Sequence, residues 1–309
     1  MKAVVFDGEL KFVKDYAFPI PEPEETLVRI KMAGICNTDL EILKGYSDFK
    51  GIPGHEFVGI VESAPPDSRH MTGARVTGEI NCGCGVCEYC LSSMEKHCVS
   101  GKAIGIRGRN GVFAEYISLP CRNLHVLPPS ISDEEAVFVE PLAAACDIQD
   151  QVHITSGNDI LVLGDGKLGL LCALVLDLAG ARVTLMGKHV HKLSLAEDAG
   201  IRTMPFNLLR EKPTQKYDIV VEATGSGDGL RIALSLIKPR GTIVLKTTRA
   251  SLYRINLASV AANELRVVGS RCGPFKNAIE LLARKRINVA PLVSAVYPMH
   301  EFRDAFKKA

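Results

Sequence analysis

Residues 159–169 read Asp-Ile-Leu-Val-Leu-Gly-Asp-Gly-Lys-Leu-Gly, and this stretch decides the fold. Four apolar residues run straight into Gly164, Asp165, Gly166, Lys167, Leu168 and Gly169, and an apolar helical stretch continues to Ala179. A buried strand that turns over three glycines into a helix is the signature of a phosphate-cradling βα unit. Gly164 makes the tight turn. Gly166 lets the backbone approach a pyrophosphate at the positive helix end, and Gly169 allows close packing of helix on strand. Lys167 and Leu168 complete the turn and count as candidate binding residues. A glycine-rich loop serving only the turn is the alternative, and the placement between strand and helix argues against it.

On either side of it, apolar strands over 160–163, 182–186, 218–221 and 242–245 alternate with helical stretches to 179, 199 and 237. Such alternation implies a parallel sheet with crossover helices. The bridge over 206–216 is short, so the helix expected there looks trimmed. At the end of the second strand an NAD site carries Asp or Glu on the ribose, but here Met186 is followed by Gly187, Lys188 and His189. A carboxylate that would repel a 2′-phosphate is missing from this run and cations stand beside the gap, which favours NADP over NAD. Solvated loop residues are the plainer reading of Lys188 and His189. Thr224, after the next strand, joins them as a candidate cofactor contact.

The N-terminal third is different. Pro and Gly punctuate it, with short β-rich runs over 27–32 and 57–62, which reads as an irregular, mainly β domain. After Gly269 a helix over 277–284, a short strand over 292–296 and a last helix over 299–308 are predicted, too little for an independent core. This tail is expected to pack back on the N-terminal domain. At roughly 150 residues per domain, 309 residues suggest two domains.

A net charge of +2, with 47% hydrophobic and 23% charged residues, describes an ordinary globular chain with no field for nucleic acid or anionic membrane. The basic cluster at 284–286 ends a predicted helix, where cations suit the dipole. No signal peptide is read at 1–10, and the most apolar run, 168–176, is shorter than the ~20 residues that span a bilayer. A cytoplasmic protein without nucleic-acid or membrane partners is expected.

Five of the ten cysteines fall between 82 and 98. Cys84, Cys87, Cys90 and Cys98 follow C-x2-C-x2-C-x7-C in a segment with few apolar residues, so a closed tetrahedral thiolate site can supply the missing folding energy. All four positions are filled, which reads as structural zinc. An iron–sulfur cluster is the rival, but the spacing departs from the bacterial run and Val99 replaces its proline. Cys82 is spare, and Cys121, Cys172 and Cys272 read as small buried apolar residues.

Two further segments, Gly34-Ile35-Cys36-Asn37-Thr38-Asp39 and Pro53-Gly54-His55-Glu56-Phe57-Val58-Gly59, carry a lone Cys and a lone His. With the cysteine lobe and the later glycine fingerprint, in this order, they resemble the zinc-containing medium-chain dehydrogenase/reductase family over essentially the whole chain. The resemblance implies a GroES-like, mainly β catalytic domain over 1–135 and 270–309, with the zinc lobe at about 80–100, and a Rossmann nucleotide-binding domain over 136–269. It implies that Cys36 and His55 bind a catalytic zinc, giving two zinc ions per chain. Glu140-Pro141-Leu142 is similar to the polyol and threonine dehydrogenase branch, where this glutamate stands in the place of the third zinc ligand; in that branch Glu56 ligates zinc directly while Glu140 holds the metal-bound water, and both stay as candidate ligands of the catalytic zinc.

By the same resemblance Thr38 touches the substrate oxygen and starts a proton path, and Asp39 orients His55; a turn or helix cap after Cys36 is the plainer role for both. Where many relatives place a histidine at the end of the relay, this chain has Glu41. The expectation is an NAD(P)-linked dehydrogenase of a small alcohol, polyol or sugar, or of the matching carbonyl, as a homodimer or homotetramer. Pocket walls include Tyr46, Phe49 and Arg271. A non-catalytic nucleotide-binding redox sensor and a zinc-free quinone reductase are the rivals, and the intact Cys36, His55, Glu56 and Glu140 count against both.

Overall fold

A computed structural model describes residues 1–209, 216–248 and 255–309. The chain divides into two compact units, Met1–Glu140 with Phe275–Ala309, and Pro141–Pro274.

The first unit begins with a hairpin of β1 (Ala3–Phe6) and β2 (Leu10–Val13), which the sequence reading did not contain. Next come β3 (Glu25–Gly34), α1 (Asn37–Leu43), β4 (Glu56–Ser63), β5 (Arg75–Gly78), β6 (Asn81–Cys82), α2 (Glu88–Leu91), β7 (Lys102–Ile104), β8 (Gly108–Arg109), β9 (Tyr116–Pro120), β10 (Leu124–Val126) and α3 (Asp133–Val137). Five of these strands form an antiparallel sheet in the order β10-β5-β4-β3-β9. Val28, Phe57, Val61, Val76, Ile117 and Leu119 pack its core face. Cys82, outside the four-sulfur group of the lobe, is buried in the same cluster. A long helix, α4 (Val139–Gln151), runs on from this unit into the second.

The second unit holds β11 (Asp159–Leu163), α5 (Lys167–Leu178), β12 (Arg182–Gly187), α6 (Val190–Asp198), β13 (Arg202–Pro205), β14 (Tyr217–Glu222), α7 (Gly229–Leu236), β15 (Ile237–Leu245), α8 (Leu257–Ala262) and β16 (Arg266–Gly269). Every strand pairing is parallel, in the order β13-β12-β11-β14-β15-β16. A parallel sheet carries helices on its faces, so its strands read as apolar runs; Ile160, Leu161 and Val162 are fully buried. The order reverses between β11 and β14, and ligands of such sheets bind at the strand ends beside that switch. Of the short bridge, Phe206–Leu208 forms a 3-10 turn and 210–215 lie outside the described residues.

The tail, α9 (Phe275–Ala283) and α10 (Phe302–Lys308), belongs to the first unit, where Phe302 packs with Ala3, Val4, Ile52 and Phe113. The strand predicted over 292–296 is absent. Only Leu292 of that run joins a regular element, the 3-10 turn Ala290–Leu292, and Val296 is left 63% exposed with no strand to pair with. Of the cysteines expected to be buried, Cys172 is; Cys121 and Cys272 are half-buried, Cys121 with its sulfur 3.3 Å from that of Met71. Among the described residues no helix is long and apolar enough to cross a membrane.

Candidate metal and cofactor sites

Cys36 is the extended residue immediately before α1. Its main-chain N–H donates to Asp39 Oδ2 at 2.8 Å, so a carboxylate in the first helical turn fixes the turn that carries the thiol. The other oxygen, Asp39 Oδ1, accepts from the N–H of Gly54 at 3.2 Å and lies 3.4 Å from His55 Nδ1. That is long for a hydrogen bond and close enough for the charge to act. One fully buried carboxylate thus joins both segments.

Strand register does the rest. Gly34 stands opposite Glu56 in the β3–β4 pair, which sets Cys36 beside His55 and Glu56. A Cβ at Gly34 would overlap Glu56 Oε2 and come within 2.7 Å of Val137 Cγ1, so only glycine leaves room for that carboxylate. The donor atoms of Cys36, His55 and Glu56 all lie within 4.8 Å of one another. Burial pushes the Cys36 thiol up, and the Glu56 carboxylate adds to the effect. Burial alone would push the His55 imidazole down, but Asp39 and Cys36 hold it well above the ordinary histidine value. The surroundings of His55 thus demand positive charge at this point. A metal cation meets the same demand, and thiolate, imidazole and carboxylate are zinc donors.

The remaining candidates divide. Thr38 Oγ1 lies 3.7 Å from Cys36 Sγ. Glu41 is buried and accepts from Lys44 Nζ at 2.8 Å. Glu140, in the first turn of α4, is buried but is not among the residues whose donor atoms cluster within 4.8 Å. Phe49 packs in a core with Phe6 and Ile42.

In the lobe, the sulfurs of Cys84, Cys87, Cys90 and Cys98 also lie within 4.8 Å of one another. Cys87–Cys90, Cys87–Cys98 and Cys84–Cys90 separations are 3.6, 3.7 and 4.0 Å. Disulfides need about 2.05 Å, whereas four thiolates about 2.3 Å from one zinc stand about 3.8 Å apart. The N–H groups of Val86 and Cys87 pull the Cys84 thiol down to about 6, and desolvation pushes Cys90 up to about 12. Val86, Leu91 and Val99 are each more than 70% exposed, so the lobe buries little apolar surface to hold itself together.

The glycine fingerprint carries the geometry a dinucleotide needs. Gly164 has φ +112°, and a Cβ there would meet the Ala223 oxygen at 2.5 Å. Gly169 packs on the Gly164 carbonyl with no room for a side chain, while nothing lies within 4 Å of where a Gly166 Cβ would be. That open space sits at the N-terminus of α5, where N–H groups are unsatisfied. Lys167 is exposed there and Leu168 half-buried. Thr224 lies across the switch point: its N–H and hydroxyl donate to Glu222 Oε1 at 2.9 and 2.5 Å, and its Cα is 3.0 Å from the Gly164 Cβ position. Lys188 and His189 follow β12, with Lys188 Nζ 5.3 Å from the Phe206 ring centre.

The end of β12 does not lack a carboxylate, because Asp165 reaches it from the fingerprint: Oδ2 accepts from the N–H groups of Lys188 and His189 at 2.7 and 2.6 Å. The roles of Asp165 and Gly34 were missed, although both stand in the quoted motifs. The signal for Asp165 was an acidic residue in the first turn paired with a glycine at the second strand's end.

The sequence matches the alcohol dehydrogenase GroES-like domain over residues 22–129 and the zinc-binding dehydrogenase domain over 168–284. It is 31% identical to D-arabitol-phosphate dehydrogenase of Enterococcus avium, over 95% of this chain and 89% of that protein. The chain belongs to the zinc-containing medium-chain alcohol and polyol dehydrogenase family. L-threonine 3-dehydrogenase of Coxiella burnetii is 30% identical over 93% of this chain and 90% of its own. A zinc-binding dehydrogenase of Sinorhizobium meliloti 1021, solved bound to NADP, superposes with a TM-score of 0.88 at 31% identity, covering 98% of this chain and 94% of that one. Membership makes this member a zinc-dependent, NAD(P)-linked dehydrogenase with a GroES-like domain and a Rossmann domain.

Proposed function

We propose that this dehydrogenase oxidises a small polyol, sugar or secondary alcohol, or reduces the matching carbonyl, with two zinc ions per chain and NADP in preference to NAD. The observation that carries the reading is the convergence of Cys36, His55 and Glu56 on one buried point. These three residues would hold a zinc ion, which would lower the pKa of an alcohol and polarise a carbonyl.

The chain's own residues do the remaining work. Asp39 orients His55, and the Thr38 hydroxyl, beside Cys36 Sγ, relays the substrate's proton, accepting it while passing its own onward. Glu41 is the next acceptor along α1, with Lys44 holding its carboxylate. Glu140, outside the cluster, would hold a water beside the metal. Gly166 leaves the open space at which a pyrophosphate would sit, Gly169 holds the helix close on the strand, and a nicotinamide bound there would supply hydride transfer with the substrate carbon. Polyol chemistry is supported by Glu140-Pro141-Leu142 and by the arabitol-phosphate relative, and NADP by Lys188, His189 and the NADP-bound relative. The four-cysteine lobe takes the second zinc. Ten free thiols suit a reducing cytoplasm, and a homodimer or homotetramer is the proposed assembly.

Metal analysis of the purified chain should give two zinc ions; one would leave the lobe alone, and none would sink the zinc reading, returning the chain to the sensor or quinone-reductase alternatives. Following NADPH and NADH formation over a panel of polyols, sugars and alcohols should show faster NADPH formation. A strong preference for NADH would overturn the reading of Lys188.

A further inference from the structure

Strand β12 ends on a glycine with a side chain beside it that comes from elsewhere. A Cβ at Gly187 would overlap the carboxyl group of Asp165, the second residue of the fingerprint. Asp165 is 7% exposed, and its Oδ2 accepts from the N–H groups of both Lys188 and His189. His189 Nδ1 lies 3.1 Å from each of its oxygens. In dinucleotide folds the carboxylate that recognises the ribose 2′-hydroxyl ordinarily extends from the end of the second strand itself. Here that strand end is bare, and the carboxylate standing at it is delivered from the turn after the first strand.

Two consequences follow for a 2′-phosphate. The main-chain donors at this helix start, which an anion would otherwise use, are already taken by a carboxylate. The same carboxylate brings a negative charge to the place where the phosphate's charge would sit. Opposing it are the side chains of Lys188 and His189, both exposed. We propose that Asp165 is the residue that sets the NAD/NADP balance of this protein, as a counterweight to Lys188 and His189 and a stand-in for the acidic residue β12 lacks. This rests on the dehydrogenase reading, and it concerns how the preference changes rather than which cofactor wins.

Calorimetric titration of the full chain with NAD, NADP and the fragment 2′,5′-ADP tests it by affinity alone, without turnover. Asp165→Asn keeps the shape and an acceptor but removes the charge. Its NADP-to-NAD affinity ratio should rise about tenfold over the wild type, with tighter 2′,5′-ADP, while Lys188→Ala should lower the ratio. Asp165→Ser carries the same expectation. An unchanged ratio, a shift toward NAD, or an equal loss of both cofactors would overturn the proposal. If every uncharged replacement unfolds the chain, Asp165 is only structural and the proposal falls. A wild type that prefers NAD overturns the NADP reading but not this one, and a wild type that binds neither overturns the dehydrogenase reading.

Discussion

Asp39 holds two loops with two oxygens, and neither oxygen is replaceable. In Asp39→Asn the amide has one acceptor for the N–H groups of Cys36 and Gly54, and His55 loses the charge beside Nδ1. Removing such a partner of a metal-binding histidine costs about 10–100-fold in metal affinity. Competition with a chromophoric chelator should show that loss at one zinc per chain, the lobe's zinc staying put. An unchanged affinity would remove Asp39 from the positioning role. The donor types at this site were legible because cysteine and histidine stood in recognisable segments. Their meeting was implied only by the family resemblance, because it depends on Gly34 facing Glu56, a register between strands that no local pattern states. Asp165 escaped for the same reason: its target lies 22–24 residues further along the chain.

Local signals served best among the elements. The turn from β11 into α5 was readable because strand, glycines and helix are contiguous, whereas the run over 292–296 had apolar residues but no partner strand. Helix α3 shows how an element is held from a distance. Ser132 Oγ accepts from the Glu135 N–H at 3.2 Å, Glu135 Oε2 accepts from the Ser132 N–H at 2.8 Å, and Lys285 Nζ, from the turn after α9, donates to both Glu135 oxygens at 2.8 Å. Burial pushes the Glu135 carboxyl up, but Lys285 and the Ser132 N–H outweigh it and hold it below the usual carboxylate range. A carboxyl with a depressed folded pKa stabilises the fold above its unfolded value, about 4.3, and that stability is lost as pH falls through the lower folded value. Glu135→Gln should therefore cost about 1 kcal/mol at pH 7, in the range for a lost cap and a partly buried ion pair. Urea midpoints of the two chains should converge as pH drops below 4. A gap that persists at pH 3 would show that packing, not charge, is what the substitution removed.

At the scale of the whole molecule, the chemistry is divided between the units. Both proposed zinc sites lie in the unit Met1–Glu140 with Phe275–Ala309, and the glycine fingerprint, Thr224, Lys188 and His189 lie in Pro141–Pro274. A ligand stabilises what it binds by mass action, about 2.7 kcal/mol at a hundred times its dissociation constant. A chain of two units need not unfold in one step. Scanning calorimetry should therefore resolve two transitions that answer to different ligands. NADP at a hundred times its dissociation constant should raise the transition of the parallel-sheet unit by about 10 °C. A strong chelator should lower the other, because a lobe with Val86, Leu91 and Val99 exposed has little but its four thiolates to fold around. Hydrogen exchange would assign each transition, with amides over 84–98 losing protection on chelation while those of β11 and α5 keep theirs. If chelation left 84–98 protected, the lobe's stability would come from its main-chain hydrogen bonds, and the case for a second zinc would rest on sulfur geometry alone.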